Sequence, residues 1–370
     1  MITTVDTLLQ PTTVFDRQLL NGAVCFPRNE KEIDEFLTAL WKRRQASFIT
    51  FRLKLEKKFR SIDRLNSFFQ LFDLFIGRSL TERRKIIEAP VFRIWYKQVV
   101  RETVDLWKNG EDVTDSLAAN LYDLERITDE ILFAKPVIGV PGTDIALARY
   151  GVDKWIAYVS PPTFTFPSEK ETVASEKKEK FSLAFFSDVM KAVMSQIEWS
   201  WPELATTISK VIKMIIHLEE ADFRSCSADR YVGIIFLTGE DCRLVDIEES
   251  LVHEFGHQLL YNVMEFDPIV INDGKVYKLP WSGSERDLYG YFHAFYIYTL
   301  LITYFVKIKN RSPENELILQ ERTVQILEGC KKAIVDFDGT DSFTPAGLQF
   351  YHNLKKQVEQ VNNEFVVTNN

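Results

Sequence analysis

Residues 246–264 read Asp-Ile-Glu-Glu-Ser-Leu-Val-His253-Glu254-Phe-Gly-His257-Gln-Leu-Leu-Tyr-Asn-Val-Met. The apolar positions Leu251, Val252, Phe255, Leu259, Leu260 and Val263 recur at helical spacing. They predict an amphipathic helix over 246–264. On a helix, positions i and i+4 share a face, so His253 and His257 converge on one point. Histidine is scarce in the chain, at five residues in 370, and His293 joins this pair within a short window. That crowding, on an apolar helix, points to a metal more than to surface histidines.

A second stretch sets the packing. Leu288–Val306, LYGYFHAFYIYTLLITYFV, holds no Lys, Arg, Asp or Glu. It is long enough to cross a bilayer. Gly290, His293 and its five tyrosines instead favour a helix buried at the centre of a large domain, and we expect a helix over 285–307 with no membrane association.

Outward from these two helices, the N-terminal third reads as helical at Glu32–Trp41, Leu65–Phe75, Val91–Trp107 and Leu117–Phe133. The breaker cluster at 136–142 suggests a boundary, giving a helical N-terminal region over 1–135 and a catalytic domain over 136–370. Residues 160–181, with three prolines followed by SEKETVASEKKEK, read as an exposed charged loop. Helices are expected at 181–197, 204–220, 313–333 and 345–361, with a frayed C-terminus. Tyr231–Thr238 is β-branched and aromatic and reads as a buried strand. The expected class is mainly α with a small β component (α+β). A zincin-like HExxH helix packs with a long apolar helix, and a helical N-terminal region precedes them.

Composition excludes several functions. A net charge of -8 argues against a nucleic-acid binder. Four dispersed cysteines without a CxxC argue against a disulfide framework or a cysteine metal site. The N-terminal MITTVDTLLQPTTVF lacks the basic-then-apolar layout of a signal peptide, so a cytoplasmic location is expected. One local asymmetry runs against the acidic whole. Residues 42–64 carry nine cations against two acids, which reads either as a solvated helix face or as a docking surface for an acidic peptide.

Two imidazoles rarely suffice for a metal, so a third ligand is needed. The HExxHxxGxxH form fails, because Leu260 and Val263 fill the Gly and His positions. A thermolysin-like arrangement would use Glu285. A GTxDxxYG-type site is nearly matched by Gly283–Gly290, but Arg286 occupies the ligand Asp slot and Asp287 is one residue off. His293, in the apolar helix, is the preferred third ligand. Glu249, one turn before His253, is a candidate to orient it. Arg286 lies seven residues before His293, which on a continuous helix is two turns along one face. A guanidinium beside a cationic metal calls for an anion between them, and a dicarboxylate such as 2-oxoglutarate would bridge the two. Imidazole suits iron as well as zinc.

These residues resemble the iron- and 2-oxoglutarate-dependent HExxH-type peptide β-hydroxylases, which modify ribosomally synthesised peptide natural products. Pro280-Trp281, Arg286, Leu288, Gly290, His293 and Tyr296 follow the HExxH helix in matching register, while Ser282, Asp287 and Ala294 depart from the pattern. The resemblance spans residues 225–310. It implies His253, His257 and His293 on Fe(II), Arg286 on 2-oxoglutarate, O2 as co-substrate, and a precursor peptide as substrate. Glu254 then stands beside the metal without acting as a hydrolytic base, and Trp281 and Tyr296 wall the pocket. The peptide is expected to pair with the 231–238 strand, its leader docking on 42–64. Two alternatives stay open: a zinc peptidase with Glu254 as general base and Glu285 or His293 as third ligand, and a non-catalytic peptide-binding protein with a structural metal.

Overall fold

The computed structural model describes residues 29–59, 66–109, 128, 138–150, 182–218, 224–238, 243–266, 268–271, 273–311 and 313–368. The expected helix at 117–133 (save residue 128) and the loop at 160–181 lie outside them. Four helices open the described chain: α1 (Glu30–Phe59), α2 (Asn66–Gly77), α3 (Leu80–Glu88) and α4 (Pro90–Asn109). After strands β1 (Ile138–Gly139) and β2 (Ala146–Arg149) come α5 (Leu183–Ser200) and α6 (Pro202–Val211). Strands β3 (Met214–His217), β4 (Ser225–Cys226) and β5 (Ile234–Leu237) lead into α7 (Leu244–Met264). A two-strand ribbon, β6 (Tyr277–Lys278) with β7 (Glu285–Arg286), precedes α8 (Leu288–Ile308), α9 (Pro313–Asp338) and α10 (Pro345–Thr368). The fold is mainly α with a small β part.

One expected helix divides in two. Residues 204–220 give α6 up to Val211, and then Met214–His217 enters the sheet. The four residues of β3 are all buried, flanked by parallel partners β2 and β5. An apolar run buried on both faces has no periodicity to separate helix from strand. The sheet order is β1-β2-β3-β5-β4. Successive side chains point to opposite faces: Leu147, Ile215, Ile235 and Leu237 enter the main core, while Ala148, Met214, Ile216, Ile234 and Phe236 meet Ile94 of α4 on the other side.

The strand expected at 231–238 begins only at Ile234. Tyr231 closes a short 3-10 turn, and Gly233 takes φ +91°. This strand has neighbours on both sides, so it offers no open edge to a peptide; the edge on this side of the sheet is β4. Gln258 of α7 accepts from the Gly233 amide (2.6 Å) and donates to the Ile234 carbonyl (2.9 Å), which sets the metal-motif helix in register against the sheet.

The other wall of α7 is α8. A Cβ at Gly256 would lie 2.8 Å from Ile297 Cδ1 and 3.1 Å from Leu300 Cδ2, so the glycine within HEFGH is what lets the two helices approach. Helix α8 is the only one among the described residues long and apolar enough to cross a membrane, and 78% of its apolar window is buried by α7, α9 and α10. That burial is compatible with a soluble protein. The helix starts at Leu288 rather than 285, because Asp287 caps it by accepting from the Gly290 amide (2.9 Å) and Glu285-Arg286 pairs with β6 instead. At the C-terminus α10 runs to Thr368, further than the fraying expected there.

The expected boundary near residue 135 is not a break in packing. Phe36, Ala39 and Leu40 of α1 belong to the main core, and α4 covers the second face of the sheet. A separate aromatic cluster around Phe48, Phe72, Phe92 and Trp95 holds the N-terminal helices to one another.

Candidate metal centre

Helix α7 places His253 and His257 one turn apart, and their Nε2 atoms face each other at 3.1 Å. Two nitrogens each about 2.1 Å from one metal lie roughly 3.0–3.4 Å apart for angles between octahedral and tetrahedral. The pair therefore has the spacing of two ligands on one ion. Helix α8 adds His293, whose ring centre is 4.6 Å from that of His257. His293 is buried, and its Nε2 has no hydrogen-bond partner. A buried imidazole nitrogen left so is costly unless something outside the protein meets it. His253 and His257 are only half-buried, so the cluster opens toward solvent on their side.

Burial, with the neighbouring imidazoles second, lowers the pKa of His257 well below its ordinary value and pushes His293 down to about 3. Both rings are neutral near pH 7, the state in which a nitrogen lone pair is available to a metal. Among the described residues, no group of three or more His, Cys, Asp or Glu side chains is placed to hold a metal ion as the side chains stand. The donor set nonetheless suits a divalent ion that takes imidazole: two nitrogens at ligand spacing and a third, orphaned, against them.

Glu254 is buried and doubly engaged. The Ser225 hydroxyl donates to Oε1 (2.7 Å) and the Ser227 hydroxyl to Oε2 (2.6 Å). Ser225 lies on the edge strand β4 and Ser227 just past its end, so the glutamate ties the HExxH helix to that edge. A carboxylate holding two hydroxyls is less free to take a proton from a metal-bound water than one facing the metal alone. Its negative charge, after burial, helps push the Cys226 thiol up to about 12.

Two tyrosines flank the histidines. Tyr261 lies four residues after His257, with its ring centre 5.0 Å from that of His293, and Tyr289 lies four residues before His293 at 5.7 Å. Burial is the first cause that raises both phenols, Tyr289 to about 12 and Tyr261 above the usual range, so both remain donors at neutral pH. Neither is picked out in the sequence reading, although the i±4 spacing from His257 and from His293 marks the same helix face. Ser225 and Ser227 leave a fainter signal, two hydroxyls at alternate positions on and just past a short strand.

The remaining sequence-selected residues fall differently. Arg286 is not two helical turns from His293 on a continuous helix. It is exposed in β7, its stem lies against Gly290, and its guanidinium donates to the Glu285 carbonyl (2.9 Å). Glu285 is likewise exposed in β7, at no helix start, which weakens it as a third ligand. Glu249 pairs with Arg322 and makes no hydrogen bond to His253, and burial raises its pKa despite that arginine. Tyr296 is fully buried against Gly256 and Phe350, in the core rather than on a pocket wall.

Trp281 acts one layer out. It stacks on Tyr298 (4.6 Å), whose ring edge meets His253 (6.3 Å), and its Nε1 donates to the Ile326 carbonyl (3.0 Å). The indole sits on Gly329, where a Cβ would lie 2.1 Å from Nε1. A Gly329→Ala substitution must displace the indole and break its hydrogen bond. It is expected to cost about 1–2 kcal/mol in chemical denaturation, a typical overpacking penalty.

The basic run at 42–64 is partly spent inside the protein. Arg44 pairs with Glu265 (2.8 Å) and Asn262 (2.6 Å), and Arg52 pairs with Glu56 and packs on Phe69 and Phe72. Lys42, Arg43, Lys54 and Lys57 stay exposed, while residues 60–64 lie outside the described residues. No known protein family matches the chain, and no curated protein matches it either.

Proposed function

We propose that this protein is an Fe(II)- and 2-oxoglutarate-dependent oxygenase that hydroxylates a side-chain β-carbon of a ribosomally synthesised precursor peptide in the cytoplasm. The observation that carries the reading is the pairing of an orphaned, buried His293 Nε2 with two imidazole nitrogens already at ligand spacing. His253, His257 and His293 would hold the metal. When bound, Fe(II) with 2-oxoglutarate and O2 supplies oxidative C–H hydroxylation.

The protein's own residues have separable tasks. Glu254, held by Ser225 and Ser227, fixes the histidine helix to the edge strand; this favours the oxygenase over a peptidase, which needs that carboxylate as a base. Tyr261 and Tyr289 present protonated phenols beside His293. Arg286 donates to a backbone carbonyl at the mouth of α8 and pairs with no carboxylate among the described residues, which leaves donors for the distal carboxylate of 2-oxoglutarate. The edge strand β4, rather than β5, is the element a peptide would pair with.

The test is anaerobic purification with metal analysis, followed by measurement of succinate and of one added oxygen on a co-expressed precursor peptide. Bound iron with succinate formation is the expected result. Bound zinc with peptide cleavage, and no use of 2-oxoglutarate, would replace this reading with a peptidase using Glu254. Arg286→Ala should raise the KM for 2-oxoglutarate by roughly 10- to 100-fold, as expected for losing a charge-assisted pair, with metal content unchanged.

A further inference from the structure

A second cavity lies away from the histidines, where α1, α3, α4 and α6 meet the sheet and the far end of α7. Its volume is about 230 Å³, and Arg44, Arg84, Arg93, Lys210 and Lys213 line it with only Asp34 and Glu88 as acids. Some of this charge is balanced locally. Lys210 pairs with Glu30 (2.8 Å) and Asp34 (2.6 Å), and Arg84 pairs with Glu88 (2.9 Å).

The rest is not. Arg44 and Arg93 share one carboxylate, that of Glu265, and Lys213 has no carboxylate within ion-pair distance among the described residues. Lys97 adds a further cation beside Arg93 and Glu265, its Nζ donating only to the Asp229 carbonyl (2.7 Å). Burial, then the charge of Arg44, lowers the Arg93 pKa to about 9, and burial lowers that of Lys213 against the pull of Glu88 and Asp144. Arg93 remains a cation at neutral pH. Clustered cations with too few carboxylates, the buried Arg93 among them, are stable only when another anion or ample water joins them. The cavity has room for one oxyanion and a few waters, at about 30 Å³ for each water.

We infer that this cavity is a binding site for a single oxyanion, a carboxylate or phosphate, held by Lys213 with Arg93, Arg44 and Arg84. The site is independent of the histidine cluster and of the reading given above. It touches the metal-motif helix only at its C-terminal half, through Asn262 and through Gly233, whose amide Gln258 holds. The anion is either a free small molecule or the acidic side chain of a bound peptide.

Calorimetric titration of the full chain with inorganic phosphate, with glutarate and with tetraglutamate tests this. Saturable one-to-one binding of phosphate or glutarate is expected, with affinity at least about tenfold weaker in Lys213→Met. Lys191→Met, at an exposed position on α5, should bind as the wild type does. Tetraglutamate binding more tightly than glutarate assigns the site to a peptide side chain, and the reverse order assigns it to a free anion. Should Lys213→Met fail to fold by circular dichroism, Arg84→Gln, at a half-exposed arginine, takes its place with the same expected loss. No saturation by about 10 mM, or equal affinity in the cavity variant and Lys191→Met, overturns the inference.

Discussion

Replacing His293 with leucine is expected to abolish stoichiometric metal binding while leaving the metal-free protein at least as stable as the wild type. The two halves of this result come from one observation. In the metal-free chain the His293 Nε2 is buried without a partner, so the imidazole carries a desolvation cost that leucine does not. Leucine is close in volume and sits on a helix already lined by Tyr291, Phe292 and Phe295. With the metal, the order reverses. A ligand that binds only the folded state at about 100 times its Kd adds about 2.7 kcal/mol of stability, and His293→Leu forfeits this. Thermal unfolding with and without Fe(II), beside metal analysis, reads both. A variant that keeps full metal content would remove His293 from the ligand set. One less stable than the wild type without metal would mark His293 as a packing residue.

The second large effect is expected at Glu265. This carboxylate, at the end of α7, is shared by Arg44 and Arg93, and it joins the N-terminal helices to the HExxH helix. Glu265→Gln keeps the shape and leaves two close guanidinium groups without their counter-charge. The expected loss is about 3 kcal/mol at pH 7, the lower end for breaking a buried pair, since a quarter of the Glu265 side chain still meets solvent. The pH dependence follows in sign. Against the cost of burial, Arg93 and then Arg44 hold the Glu265 pKa down to about 2, below its ordinary value of 4.5. Its contribution is therefore complete above about pH 4.5 and is lost as pH falls toward 2. Denaturant titrations at pH 7, 4 and 3 should show wild type and Glu265→Gln converging as the pH drops. A constant gap across that range would contradict the ion-pair account.

The histidine helix was legible because three signals coincide in one window: helical apolar spacing, an i, i+4 imidazole pair, and scarcity of histidine elsewhere. The long apolar helix was legible from length alone, and its capping by Asp287 explains why Glu285 and Arg286 fall outside it. The reasoning from Arg286 needed a helix that had already begun, and the ribbon with β6 removed that premise. Tyr296 and Glu249 were chosen by position along the chain. Their settings, a core contact with Phe350 and a pair with Arg322, depend on α10 and α9 arriving from much later in sequence.

The strand at Met214–His217 shows the same limit from the other side. Three apolar residues and a histidine following a helix carry no sign of whether they continue it; parallel pairing with β2 and β5 decides, and neither partner adjoins them. Periodicity and local chemistry act within a turn or two of the chain, and so could specify the helices, the imidazole pair and the need for a third ligand. Which strand lies at the sheet edge, where Arg286 points, what engages Glu254, and the gathering of Arg44 and Arg93 around one carboxylate all arise from contacts between segments far apart in sequence. Such contacts are selected by the packing of the whole core, and no local window contains them.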